Sequence, residues 1–202
     1  MEIKDSGTRR EFDSGAVRDC AEGKGRCDLL PLEVVSNLLG DKVFEYINEY
    51  VRSGDLIALN CAIQVFARKR YETLETAMLE VSKHFEEGAK KYAERNWEKG
   101  INSHCYIDSA IRHYLKHIRG DNDEPHDRAF LWNLMCAWWT HINKPEMIDL
   151  PFYTKKCDAE SHKSNEKCEH KVWFGDIDAY ECDKFGKVCE NPEECLKRGE
   201  YE

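Results

Sequence analysis

The stretch from Ala129 to Trp139 is apolar on every side of a helix except at Asn133. A helix without a polar face has to lie inside a protein, so the remaining helices must surround it. Asn133, placed within that run, needs hydrogen-bond partners from its neighbours. Pro125 occupies a first-turn position for this helix, which extends to about His141, and Gly120-Asp121-Asn122-Asp123 ends the helix before it.

The rest of the chain supplies that surround. From Pro31 to about Tyr92 apolar residues recur at helical spacing as Val34, Val35, Leu38; Val43, Phe44, Ile47, Val51; Leu56, Leu59, Ile63, Phe66; and Leu74, Met78, Val81, Phe85. Ser53-Gly54-Asp55 separates two of these groups, and the pattern predicts four helices. After a loop over Glu94 to Asn102, a further helix from Ser103 to Ile118 carries Ile107, Ile111, Tyr114 and Ile118 on one face. The expected fold class is all-α, a helical bundle followed by a small irregular module.

Residues 1–30 carry Gly7, Gly15, Gly23 and Gly25 among charges, with no period, and read as a loop or arm. Residues 31–150 form the helical domain. From residue 152 the helical period disappears and cysteines crowd in, with Lys171-Val172-Trp173-Phe174 expected as a short strand. A chain of 202 residues buries one good core and a small appendage, not two large domains.

The formal net charge of −9 argues against a general nucleic-acid or anionic-membrane surface. No run approaches the roughly 18 apolar residues of a membrane span. Met1 to Phe12 is polar and charged, unlike a signal peptide, so a cytoplasmic location is expected. There, Cys20, Cys27, Cys61, Cys105 and Cys136 read as small reduced core residues. Cys168, Cys182, Cys189 and Cys195, with Cys157, His162 and His170 nearby, offer enough soft ligands for a structural Zn²⁺. Six and five residues separate the last three cysteines, unlike paired zinc motifs, and free cysteines remain the other reading.

Polar residues gather beside the apolar stripes of three helices. On the helix ending at Tyr92, Glu86 falls at the border of core and solvent, while Glu87 points further out with Glu80 and Lys83. Asp108 and Arg112 can pair four residues apart, and His126 and Asn133 share a face. Each has a plain structural reading as well: Asp108/Arg112 and Glu87/Lys91 as surface ion pairs, His126 as a helix cap.

In order along the chain, Phe85-Glu86-Glu87-Gly88-Ala89-Lys90-Lys91-Tyr92, Arg95-Asn96-Trp97-Glu98-Lys99-Gly100, Asp108-Ser109-Ala110-Ile111-Arg112-His113, His126 and Trp132-Asn133 resemble the signature of the phage dATP/dGTP diphosphohydrolase family. Ser14 to Asp19 and Gly23 to Pro31 are similar to that family's start, so the resemblance covers residues 12–32 and 84–134. Residues 36–80 read as a helical insertion, and Ala129 stands where the family pattern has a second histidine.

The resemblance implies a purine nucleotide as partner, cleavage of a deoxynucleoside triphosphate to monophosphate and pyrophosphate, a homo-oligomer, and the host cytoplasm if the chain is phage-encoded. It implies Mg²⁺ on oxygen ligands drawn from Glu86, Glu87, Asp123, Glu124 and Asp127. Glu124 to Asp127 resembles one of two carboxylate pairs, while Lys83 interrupts the other. Lys24 and Arg26 between glycines suit phosphate oxygens, with Lys91, Arg95 and Arg112 as further donors. Asn96 and Trp97 could bond and stack a purine, or Trp97 could simply pack; Asn133 completes the binding set. Glu86, His113 and His126 are the catalytic candidates, either histidine carrying a proton or donating to phosphate. A binding protein that sequesters a nucleotide or cyclic nucleotide without hydrolysis, and a protein-interaction module, are the alternatives.

Overall fold

A computed structural model describes residues 7–152 and, in the tail, only the strands at 171–174, 179–182 and 187–188. The chain divides into two compact units, 1–156 and 157–202. The first unit is built on six α-helices: α1 (Leu32–Leu39), α2 (Lys42–Ser53), α3 (Leu56–Tyr71), α4 (Leu74–Tyr92), α5 (Ser103–Arg119) and α6 (His126–Asn143). The four helices expected between Pro31 and Tyr92 are present, and the all-α class holds. No helix among the described residues is long and apolar enough to cross a membrane.

Local chemistry sets the boundaries. Asp41 accepts from the Val43 amide at 2.9 Å and Asp55 from the Ile57 amide at 2.8 Å, so each caps the helix it precedes. Thr73 does the same for α4 through the Thr76 amide. Gly54, which ends α2 at φ +77°, also meets the ring of Phe152, which would lie 2.6 Å from any Cβ placed there. Only glycine suits both demands.

The helix α6 lies at the centre, with Phe130, Leu131, Leu134 and Ala137 fully buried and packed against α3, α4 and α5. Phe66 of α3 meets the Phe130 ring edge-on at 4.6 Å and the Tyr114 ring of α5 at 5.9 Å. Tyr50 of α2 hydrogen-bonds His141 at 3.1 Å, tying the helices before α4 to the far end of α6.

Two expectations fail in instructive ways. Residues 7–30 are not a plain arm: β1 (Arg9–Glu11) and β2 (Val17–Asp19) pair antiparallel, with Arg10 opposite Arg18, and a 3-10 turn follows at Cys27–Leu29. The side chain of Asn96 completes this hairpin by accepting from the Val17 amide at 2.9 Å and donating to the Val17 carbonyl at 2.7 Å. On α4 the buried residues are Ala77, Val81 and His84, while Met78 and Leu79 are exposed. The inward face is therefore turned from the apolar stripe towards His84, Glu87 and Lys91.

In the second unit, β3 (Lys171–Phe174), β4 (Ala179–Cys182) and β5 (Lys187–Val188) form an antiparallel sheet in that order. The expected strand at Lys171–Phe174 is β3. Of the expected zinc ligands, Cys168, Cys189 and Cys195 lie outside the described residues, and Cys182 is described only as a strand residue.

Candidate functional site

The hairpin, the C-terminal half of α4, the loop after it, and the facing sides of α5 and α6 enclose a cavity of about 1090 Å³. Its walls carry Arg18, Lys24, Lys91, Arg112 and Lys116 as cations, Phe85, Trp97 and Trp132 as apolar faces, and His84, His113, Asn133 and Glu124 as further polar groups. Asp19, Glu86, Glu94, Asp108, Asp123 and Glu124 line it too, so the cations are interleaved with carboxylates.

Arg18 sits at its heart. One guanidinium nitrogen, Nη2, donates to Asn133 Oδ1 at 2.6 Å, and the group lies over the Tyr106 and Trp132 rings at 5.0 and 5.7 Å. Asn133 is held in turn by donating through Nδ2 to the Ala129 carbonyl at 2.7 Å. The asparagine of the apolar helix thus has the partners it needs, and it orients Arg18. Arg18 Nη1, His84 Nδ1 and Trp132 Nε1 are buried without a protein hydrogen-bond partner. All three side chains line the cavity.

The neighbouring Asp19 accepts from Lys91 at 2.7 Å and from the Tyr92 hydroxyl at 2.7 Å, with Arg9 at 3.0 Å. Burial raises its carboxyl pKa, but these bonds and charges together outweigh it and hold the group below its ordinary value. A second pairing fixes the Gly23–Arg26 loop. Asp108 accepts from the Cys27 amide at 2.7 Å and binds Arg112, which also donates to the Lys24 and Gly25 carbonyls at 3.3 and 3.2 Å. Arg112, expected as a phosphate donor, therefore anchors the loop that presents Lys24.

Other expected residues are placed differently. Glu86 is exposed at the cavity rim and pairs with Lys90 at 2.5 Å, whereas Glu87 turns inward, 3.5 Å from Arg128. The assignment of Glu86 to the border and Glu87 to solvent is reversed, because the inward face of α4 is rotated. Arg26 is exposed and bound to Asp28, away from the cavity wall, and Arg95 pairs with Glu98. Asn96 engages both ends of its amide with Val17, which argues for hairpin closure over purine contact. Trp97 lines the cavity and packs edge-on to Phe85 and Trp139 at 5.6 and 5.0 Å.

His113 and His126 come together, their Nδ1 atoms 2.9 Å apart, with Glu124 Oε1 3.8 and 3.7 Å from them. His126 Nε2 lies 2.6 Å from Asp123 Oδ1. The oxygen cage expected for Mg²⁺ is not assembled: Glu86 faces solvent, Glu87 faces Arg128, and Asp127 binds Arg70 at 2.7 Å. Only Asp123 and Glu124 of that set stand beside the histidines. Sequence reasoning missed Arg18, His84 and Lys116. Arg18 could have been found, since it lies within the Ser14–Asp19 strip of the resemblance.

The titration of two histidines gives the stability a shape. Burial, with the charges of Arg128, Arg18 and Lys91, pushes His84 from 6.5 down to about 4. Between those values the unfolded chain binds the extra proton, so stability falls as pH drops from 6.5 to 4, by about 3 kcal/mol at 1.36 kcal/mol per unit. His104 behaves oppositely: its bond to Asp149, with Cys105 adding, pushes it from 6.5 up to about 10. Its contribution is complete below pH 6.5 and is lost as pH rises to 10. Urea unfolding across pH 4 to 10 should show a maximum near 6.5, and stability still climbing at pH 9 would contradict this.

Residues 67–150 match the family model described as dATP/dGTP diphosphohydrolase, N-terminal. The match takes in α4, α5 and α6, which carry most of the cavity wall, and includes residues 67–80 of the stretch read as an insertion. The hairpin and the loop at 12–32 lie outside it. No curated protein and no solved structure matches the chain.

Proposed function

We propose, with the diphosphohydrolase match as premise, that the cavity binds a purine deoxynucleoside triphosphate and that the chain hydrolyses it. Water adds across the α–β phosphoanhydride, giving the nucleoside monophosphate and pyrophosphate. The observation that carries this reading is Arg18: a half-buried cation, oriented by Asn133, on the wall of a cavity large enough for a nucleotide.

The residues divide by chemistry. Arg18 and Lys24 meet phosphate oxygens, and Lys91 adds positive charge while held by Asp19. Asn133 positions Arg18, and Arg112 positions the Lys24 loop. Trp132 offers a ring face to the base, and Trp97 a second aromatic wall. His84, neutral near pH 7, can donate or accept one hydrogen bond through its imidazole.

The test is incubation of the full chain with each deoxynucleoside triphosphate and either Mg²⁺ or Mn²⁺, with separation of the products. Conversion of dATP or dGTP to monophosphate and pyrophosphate is expected. Recovery of every nucleotide intact refutes hydrolysis. A second reading, sequestration without hydrolysis, is favoured by the dispersal of Glu86, Glu87 and Asp127. It requires tight binding with the ligand recovered unchanged, which mass spectrometry of the bound fraction would report.

A further inference from the structure

We infer that His113, Glu124 and His126 form a site for one divalent transition-metal ion at the edge of the cavity. The three ligands come from the second half of α5, the turn after it and the first residue of α6. Gly120 in the left-handed conformation ends α5, and Arg119 binds Asp121, so the turn returns Glu124 towards His113. The three ligand atoms are separated by 2.9, 3.7 and 3.8 Å. The point equidistant from the corners of that triangle lies about 2.0 Å from each atom, the bond length of imidazole nitrogen and carboxylate oxygen to Zn²⁺.

The surroundings orient the ligands. Asp123 Oδ1, 2.6 Å from His126 Nε2, accepts the proton there and leaves the Nδ1 lone pair facing His113. A carboxylate behind a ligating imidazole is the usual second partner of a metal histidine. Two imidazole nitrogens 2.9 Å apart hold either one shared proton or a cation between them. Two imidazoles and one carboxylate suit Mn²⁺ or Zn²⁺, whereas Mg²⁺ demands oxygen ligands. Lys116 lies 3.2 Å from Asp123 and 3.9 Å from Glu124 and opposes the ion. His113 and Glu124 line the cavity, so an ion held by three protein atoms keeps positions open towards it.

A second grouping, Asp121 and Asp123 with His126, shares one histidine but not His113. The inference does not depend on the diphosphohydrolase reading, because the ion is measured with no nucleotide present. Mn²⁺ is the probe, since the thiols of the cysteine-rich tail favour softer ions. Electron paramagnetic resonance of the full chain should show one bound Mn²⁺, with spin-echo modulation from two imidazole nitrogens. His113→Ala should remove one nitrogen signal and weaken binding at least tenfold, Glu124→Gln should weaken it without changing the nitrogen count, and Asp123→Asn should cost about 10–100-fold. Circular dichroism identifies variants that remain folded, and the wild-type spectrum alone decides the case if none does. Absence of Mn²⁺ binding, or bound Mn²⁺ without nitrogen modulation, overturns the site. Modulation unchanged in folded His113→Ala overturns it too.

Discussion

Replacing Arg18 by methionine is expected to weaken dATP and dGTP binding by about 100-fold, because losing a charge-assisted contact to phosphate costs about 1.5–3 kcal/mol. Methionine keeps an aliphatic stem against the Tyr106 and Trp132 rings, so packing is largely retained. What is lost is the charge, the unpartnered Nη1 donor and the bond to Asn133. Asn133 Oδ1 then lacks that donor, which adds about 1–3 kcal/mol of destabilisation. Calorimetric titration with each nucleotide, beside a urea titration, separates the two effects. Binding within threefold of the unaltered chain would remove Arg18 from the site.

Phe66→Ala is the substitution expected to damage the fold most, by about 3–5 kcal/mol. Phe66 is 3% exposed, and its ring meets Phe130, Tyr114 and His117 from three sides. The cavity left would open between α3, α5 and α6, where little can collapse inward. Its neighbour Val65 is 38% exposed, so Val65→Ala should stay within about 0.5 kcal/mol. Phe66 lies one residue before the start of the family match, so a large loss would show that α3 belongs to the same core as α5 and α6. A loss below about 1 kcal/mol would mean that α3 is a loosely attached addition.

The helices were legible because each repeats its apolar residues long enough for the period to stand out, and because Asp41, Asp55 and Gly120 punctuate them. The central helix was legible from its lack of a polar face, and Asn133 from its isolation within it. The hairpin was not. Its strands are three residues long and rich in charge, and its outer edge is satisfied by Asn96, far along the sequence. The direction of α4 failed for a related reason. Hydrophobicity places polar residues outside, but His84 and Lys91 face the cavity and Glu87 turns to Arg128, while Met78 and Leu79 remain exposed. The carboxylates were assigned by type and spacing, and neither reveals that Arg70 engages Asp127.

The Asn96 side chain presents to Val17 the same acceptor and donor that a third strand would present. A two-stranded ribbon ordinarily leaves such an edge open to any extended segment, including the same edge on another copy of the chain. Here one amide, carried on the 3-10 turn at Asn96–Lys99, fills the position at Val17 and offers nothing onward to the next strand. The ribbon can hold Arg18 and Asp19 in an extended backbone without becoming a template for edge-to-edge association through that residue.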